Sequence, residues 1–181
     1  MRKLLNNELG RKTVKQYRES EKFPFVIVLD NVRSNSNVGS IFRTADAFLV
    51  EIIYLCGITS RPPHREINKT ALGATESVAW KYFQSTSDAI KELKNLGYKI
   101  IGIEQAEGSE RLGDFEVKNG LRYALVFGHE VNGVGQEILN DCDHVVEIPQ
   151  FGTKHSFNIA VSAGIVLWEL SRSHPKSLSH G

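Results

Sequence analysis

Apolar residues along this chain fall into short unbroken runs, each followed by a polar loop and then by a segment whose apolar positions recur every three or four residues. FVIVLD (25–30), EIIYLCGI (51–58), KIIGIEQ (99–105), YALVFG (123–128) and HVVEIP (144–149) are the runs, and residues 78–83 form a shorter candidate. Runs without alternation predict strands buried on both faces, as in a parallel sheet. Between them, VGSIFRTADAF has helical spacing at Ile41, Ala45 and Phe48, STSDAIKELKNLGY reads as a capped helix ending at Gly97, and GQEILNDC as another. A polar amphipathic helix is predicted to end near Phe23 and Pro24, and a helix of small and branched apolar residues to begin at Ile159. TSRPPHREINKTALGATESV reads as loop with one helical turn near Lys69–Leu72, and EGSERLGDF as loop throughout. The expected fold class is α/β, a mostly parallel sheet with helices on both faces. The expected divisions are a basic helical arm (1–24), one domain (25–171) and a frayed tail (172–181).

Composition narrows the function classes. With 41% hydrophobic and 24% charged residues the 181-residue chain is an ordinary globular one. No apolar run reaches the roughly 20 residues needed to span a bilayer. The start lacks the apolar stretch of about 7 to 15 residues of a secretory signal, so a cytoplasmic location is expected. Cys56 and Cys142 stand alone, and the six histidines have no ligand spacing, so neither a disulfide framework nor a metal site is expected. The net charge is +1, yet residues 1–22 hold seven cations against three carboxylates, a local +4 that leaves −3 for the remainder. That arm is either a solvated helix or a phosphate-contacting one.

In parallel sheets ligands gather beyond the carboxyl ends of strands, which directs attention to three loops. GHEVNGVG (128–135) fits neither the dinucleotide fingerprint nor the phosphate loop, but its glycines around Glu130 predict either a sharp turn approaching something closely or a plain turn carrying a solvated glutamate. NVRSNSNVGSIFR places Asn31, Asn35 and Asn37 in the loop and Arg43 on the helix that follows; taken singly, Asn37 reads as a cap and Arg43 as a surface cation, while together they read as an RNA-facing surface. PQFGTKHSFN crowds Lys154, His155, Ser156 and Asn158 at the mouth of the last apolar helix, more hydrogen-bonding capacity than one cap requires.

Taken in order, NVGSIFRTADAF, ALVFGHEVNGV and VVEIPQFGTKHSFNIAVSAGIVLWE resemble the three consecutive motifs of the SPOUT superfamily, in its TrmH-like branch of RNA ribose 2′-O-methyltransferases, over Val26 to Glu169. The resemblance implies a deep trefoil knot in the C-terminal half, S-adenosylmethionine as methyl donor and an obligate homodimer. It implies Arg43, Asn37, Glu130, Ser156 and Asn158 as catalytic residues. The cofactor would be held by Phe127, Gly128, His129, Glu130, Gly133, Ile148, Pro149, Gln150, Ser156, Phe157 and Asn158. Gln150 and Phe157 depart from the Met and Leu that the family often carries there. Arg43 is either the base or a phosphate clamp. The RNA surface is expected to combine the arm (Arg2, Lys3, Arg11, Lys12, Lys15, Arg18) with Arg33, Arg61, His64, Arg65 and Lys69. The substrate is expected to be tRNA ahead of rRNA, with no membrane and no metal partner. The last helix is expected in the dimer interface through Val166, Leu167, Trp168 and Leu170. A non-catalytic knotted RNA-binding or assembly protein is the rival reading, and the joint presence of the five catalytic positions weighs against it; a nucleotide-sensing module without RNA is the second.

Overall fold

The structure, a computed structural model, describes residues 1–174. Its strands are β1 (Phe23–Asp30), β2 (Val50–Cys56), β3 (Trp80–Phe83), β4 (Tyr98–Ile103), β5 (Glu110–Arg111), β6 (Arg122–Phe127) and β7 (His144–Glu147). They form one seven-stranded sheet in the order β3-β2-β1-β6-β4-β7-β5, with every pair parallel. The helices are α1 (Val14–Glu19), α2 (Asn35–Ala47), α3 (Arg65–Ala71), α4 (Ala74–Ser77), α5 (Thr86–Asn95), α6 (Gln136–Asn140) and α7 (Ile159–Ser173).

The unbroken apolar runs follow from a sheet covered on both faces. Along β1, Phe25, Ile27 and Leu29 join one core with α2, α3 and α7, while Val26 and Val28 join the other with α5 and α6. The same alternation holds along β6, where Leu125 and Phe127 face the first core and Ala124 and Val126 the second. Each such side chain removed from water stabilises the fold by about 1.5–3 kcal/mol, so the central strands fix the register on which the loops depend.

Several expectations change. The arm is not one helix: a 3-10 turn at Asn6–Glu8 is separated from α1 by Gly10 at φ +57, and β1 already begins at Phe23. α1 starts where Thr13 and Gln16 form a reciprocal capping box, and it is held by buried Tyr17, whose hydroxyl donates to the Val50 carbonyl at 3.2 Å. The stretch read as loop with one helical turn contains α3 and α4, ended and joined by Leu72 at φ +49 and Gly73. Buried Ile67 and Ala71 seat α3 on α2, with Thr70 Oγ1 donating to the Ser36 carbonyl at 3.0 Å. The expected loop 107–115 contains the short edge strand β5, which pairs with β7.

α7 continues through Ser173, past the expected start of the tail, and the remaining tail lies outside the described residues. Of the four α7 residues assigned to an interface, Val166, Leu167 and Leu170 are buried in the chain's own core. Only Trp168 is exposed, at 61%, and it shares its side of the helix with Val161 at 50%. An all-round apolar helix conceals in its sequence which stripe the sheet takes.

Candidate active site

Because all strands run parallel, their carboxyl ends share one edge of the sheet, and a cavity of about 540 Å³ opens there among the segments that follow β4, β6 and β7. All the residues assigned to the cofactor line it except Pro149. Glu104, Gln105 and His155 line it as well and were absent from the sequence assignment. The available signal was the position of Glu104 and Gln105 at the end of the KIIGIEQ run.

The loop after β6 is closed on itself. His129 and Gly133 exchange backbone hydrogen bonds of 3.0 and 2.8 Å, and His129 Nδ1 accepts the N–H groups of Val131 and Asn132. Gly133 has φ +67, and a Cβ at Gly128 would run into the Gly133 carbonyl and the Val134 nitrogen. Gly128 is therefore required by close backbone approach, and Gly133 by its left-handed conformation. Gly128→Ala is expected to cost about 1–3 kcal/mol through overpacking, read as a lowered Tm; an unchanged Tm would contradict this packing.

Glu130, at the tip of that loop, reaches across to the start of α2. It accepts from the backbone N–H of Arg33 at 3.0 Å and of Ser34 at 2.9 Å, and from the Asn37 side-chain amide at 3.2 Å. Burial opposes its charge, but these donors with its own N–H outweigh burial and hold the carboxyl below the ordinary carboxylate range. Asn37 does not cap α2. Ser34 does, its hydroxyl accepting the Asn37 N–H at 3.3 Å, which leaves the Asn37 side chain for other partners. Asn37 Oδ1 accepts from Asn158 Nδ2 at 3.1 Å, and Asn158 Oδ1 in turn accepts the Ala160 N–H at 2.9 Å as the N-cap of α7. A continuous chain thus joins the β6 loop, the start of α2 and the start of α7. Asn158 both caps a helix and closes the site, which explains part of the polar crowding before Ile159. Ser156 and His155 line the open side of the cavity.

Arg43 is placed elsewhere. It lies six residues beyond Asn37, about 9 Å along the helix axis, on an exposed position, and it does not line the cavity. Among the described residues no ion pair or hydrogen bond engages its side chain. The neighbouring Thr44 packs close to Gly164 of α7.

The cations assigned to RNA divide into two groups. Arg33 lines a second, smaller cavity of about 350 Å³ with Ser34, His129, Glu130 and Val131, adjoining the first. Arg61 stacks over the Tyr82 ring at 4.3 Å, and Arg65 and Lys69 are exposed on α3. His64 caps α3, its Nδ1 accepting the Glu66 N–H at 3.2 Å. On the arm, Arg18 donates to the Glu76 carbonyl, Lys15 lies 3.9 Å from Glu19 and Arg2 pairs with Glu8 at 2.7 Å, so intramolecular partners take part of the arm's charge. Arg11, Lys12 and Lys3 are exposed. Burial pushes the Cys56 thiol up to about 12 and the Cys142 thiol to about 11, which removes both as nucleophiles. Among the described residues no cluster of His, Cys, Asp or Glu is arranged to hold a metal, and no helix is long and apolar enough to cross a membrane.

Fold and site define a parallel α/β protein with a ligand-sized cleft at the carboxyl edge of its sheet, bordered by glycine-turned backbone and by the ends of a Glu–Asn–Asn hydrogen-bonded chain. Residues 24–168 match the SpoU rRNA Methylase family, and the chain belongs to that family, as the three motifs anticipated. It is 34% identical over 149 residues to the 23S rRNA (guanosine-2'-O-)-methyltransferase RlmB of Neisseria meningitidis, covering 82% of this chain and 58% of that protein. The fold resembles that of the S-adenosylmethionine-bound rRNA methyltransferase from Sinorhizobium meliloti, with a TM-score of 0.79 at 28% identity, over 88% of this chain and 60% of that one. The A. aeolicus TrmH/SpoU tRNA modifying enzyme matches with a TM-score of 0.79 at 26% identity, over 91% and 83% of the two chains. The chain therefore spans about 60% of the length of two of these three relatives.

Proposed function

We propose that this protein transfers a methyl group from S-adenosylmethionine to a ribose 2′-hydroxyl of RNA. The observation that carries the reading is the hydrogen-bonded chain Glu130–Asn37–Asn158, whose two ends line the 540 Å³ cavity and are joined through Asn37, tying together all three family motifs at one place. A cavity of this size falls within the range of about 300–1,000 Å³ typical of small-ligand sites. Gly128 and Gly133, both on its lining, let the loop backbone fold tightly against itself and against Glu104. Backbone at Phe127, Gly128, His129, Ile148, Gln150 and Phe157 would hold the cofactor, with Ser156 and Asn158 offering side-chain hydrogen bonds. S-adenosylmethionine supplies an activated methyl on a good leaving group, so the protein's contribution is chiefly positioning. Asn158, held by Asn37, fixes the wall against which the ribose would lie, and the Arg43 guanidinium would clamp a phosphate and stabilise the developing alkoxide.

Arg43 stands outside its own chain's cavity, so the complete site needs a second copy. The exposed Val161 and Trp168 support a homodimer formed on that side of α7, through which the exposed Arg43 of one protomer would serve the cavity of its partner. Light scattering at micromolar concentration is expected to give twice the 20.3 kDa chain mass, and Trp168→Asp to give the single mass. A monomeric wild type would contradict this arrangement. The segment 148–158 is read as the closing part of a trefoil knot, a reading supported by β7 pairing with β4 while β6 lies on the other side of β4. Arg33, Arg61, Arg65 and Lys69, with Arg11 and Lys12 of the arm, are proposed as phosphate contacts.

The reaction is tested with S-adenosylmethionine and total RNA from cells lacking this protein, followed by nucleoside digestion and mass spectrometry of separated tRNA and rRNA. One 2′-O-methylnucleoside is the expected product, and its fraction of origin identifies the substrate class. Methylation confined to a base would contradict the reading.

A further inference from the structure

The charges lining the cavity are one-sided. Two carboxylates, Glu104 and Glu130, line it, and no lysine or arginine does. Glu130 is offset by two backbone N–H groups and the Asn37 amide at the start of α2, where the helix dipole also favours an anion. Glu104 also accepts two backbone N–H groups, but among the described residues no side-chain amide reaches it, and it does not sit at a helix start. It follows β4 directly, with its Oε2 accepting the Val134 N–H at 2.9 Å and its Oε1 the Gln105 N–H at 3.0 Å. Both oxygens are thus held in place by neutral donors, and among the described residues no cation pairs with the carboxylate. The side chain is half-buried. A fixed, partly desolvated negative charge without a counter-ion favours a cationic ligand in the space it faces.

The methyl donor of the proposed reaction carries a sulfonium and an ammonium against one carboxylate, whereas its product keeps only the ammonium and the carboxylate. We propose that Glu104 is a cofactor-binding residue that responds to the sulfonium charge and makes the cavity prefer S-adenosylmethionine over S-adenosylhomocysteine. The proposal rests on the methyltransferase reading and adds to it a residue that none of the three motifs contains. Loss of the positive charge on methyl transfer would weaken the product's hold on the site, so the same carboxylate promotes product release. Glu104 also has a structural role, since it anchors Val134 and through it the 128–135 loop. The two roles differ in what they predict: loop support acts on both ligands alike, and charge recognition acts on one.

Calorimetric titration of the intact protein with each ligand separates them. Glu104→Gln, which keeps an oxygen to accept the Val134 N–H, is expected to weaken S-adenosylmethionine about tenfold and S-adenosylhomocysteine by less than about twofold, the order of one partly screened charge pair. Glu104→Asp, which keeps the charge, is expected to retain the preference. In the wild type the preference is expected to narrow as salt is raised, a measurement that needs no variant. Equal losses for both ligands in Glu104→Gln, or no loss for either, would overturn the proposal while wild-type binding left the methyltransferase reading intact. A wild type that binds neither ligand would remove both.

Discussion

Arg43→Ala is expected to lower methyl transfer by about 100-fold or more, the scale seen when one preorganised stabiliser of developing charge is removed. It is expected to leave cofactor affinity within about twofold and stability within about 0.5 kcal/mol, as for an exposed residue without structural contacts. The separation follows from the placement of Arg43: exposed on α2 and outside the cavity of its own chain. Arg43→Lys keeps the charge but loses the planar fork that grips a phosphate, so it should recover only part of the rate. Steady-state kinetics with cofactor titrations on the same preparations provide the check. Unchanged turnover in Arg43→Ala would remove this residue from the reaction, and a parallel collapse of cofactor affinity would place it on the wrong side of the site.

Glu130→Gln should affect stability and activity together. The amide substitutes a donor for one acceptor oxygen, opposite two backbone N–H groups and the Asn37 amide. Hydrogen bonds to a charged acceptor contribute about 1.5–3 kcal/mol each when buried. The loops here remain partly in contact with water, so a net loss of about 1–2 kcal/mol is expected, or roughly 2–8 °C in Tm for a domain of this size. Activity should fall further, by about 100-fold, because Asn37 and, through it, Asn158 lose their fixed orientation. The pH dependence has a definite sign. The folded carboxyl titrates below its ordinary value near 4.3. Its contribution to stability is therefore complete above that ordinary value and disappears as pH falls through the lower folded one. Thermal melts should show the gap between wild type and Glu130→Gln at its widest above about pH 5 and closing on acidification. A gap that widens towards low pH would contradict the hydrogen-bonding assignment.

Much of this architecture was legible because both faces of the sheet are covered. Covering turned β1, β2, β4, β6 and β7 into unbroken apolar runs, and the order of runs and helical segments then specified α/β. What stayed hidden depends on neighbours distant in sequence. α3 is short, flanked by Pro62, Pro63 and Gly73, and is stabilised by burying Ile67 and Ala71 against α2 rather than by its own propensity. Asn37 read as a possible cap because the chain offers several capping residues in succession, and only geometry shows that Ser34 takes that role. Trp168 could not be distinguished from Leu167 until the sheet had selected one stripe of α7. Glu104 escaped notice because its importance arises from β4 lying between β6 and β7, a strand order that no local pattern encodes.

The central claim is that the cavity at the carboxyl edge of the sheet is the cofactor site and that Glu130 and Asn158, joined through Asn37, form part of its wall. A crystal structure of the intact protein with S-adenosylhomocysteine tests this most directly. The account predicts the nucleoside between the 128–133 loop and residues 148–158, with Arg43 of the partner protomer at the open side. A ligand bound anywhere else, or a cavity filled by the protein's own side chains when ligand is present at saturation, would contradict it.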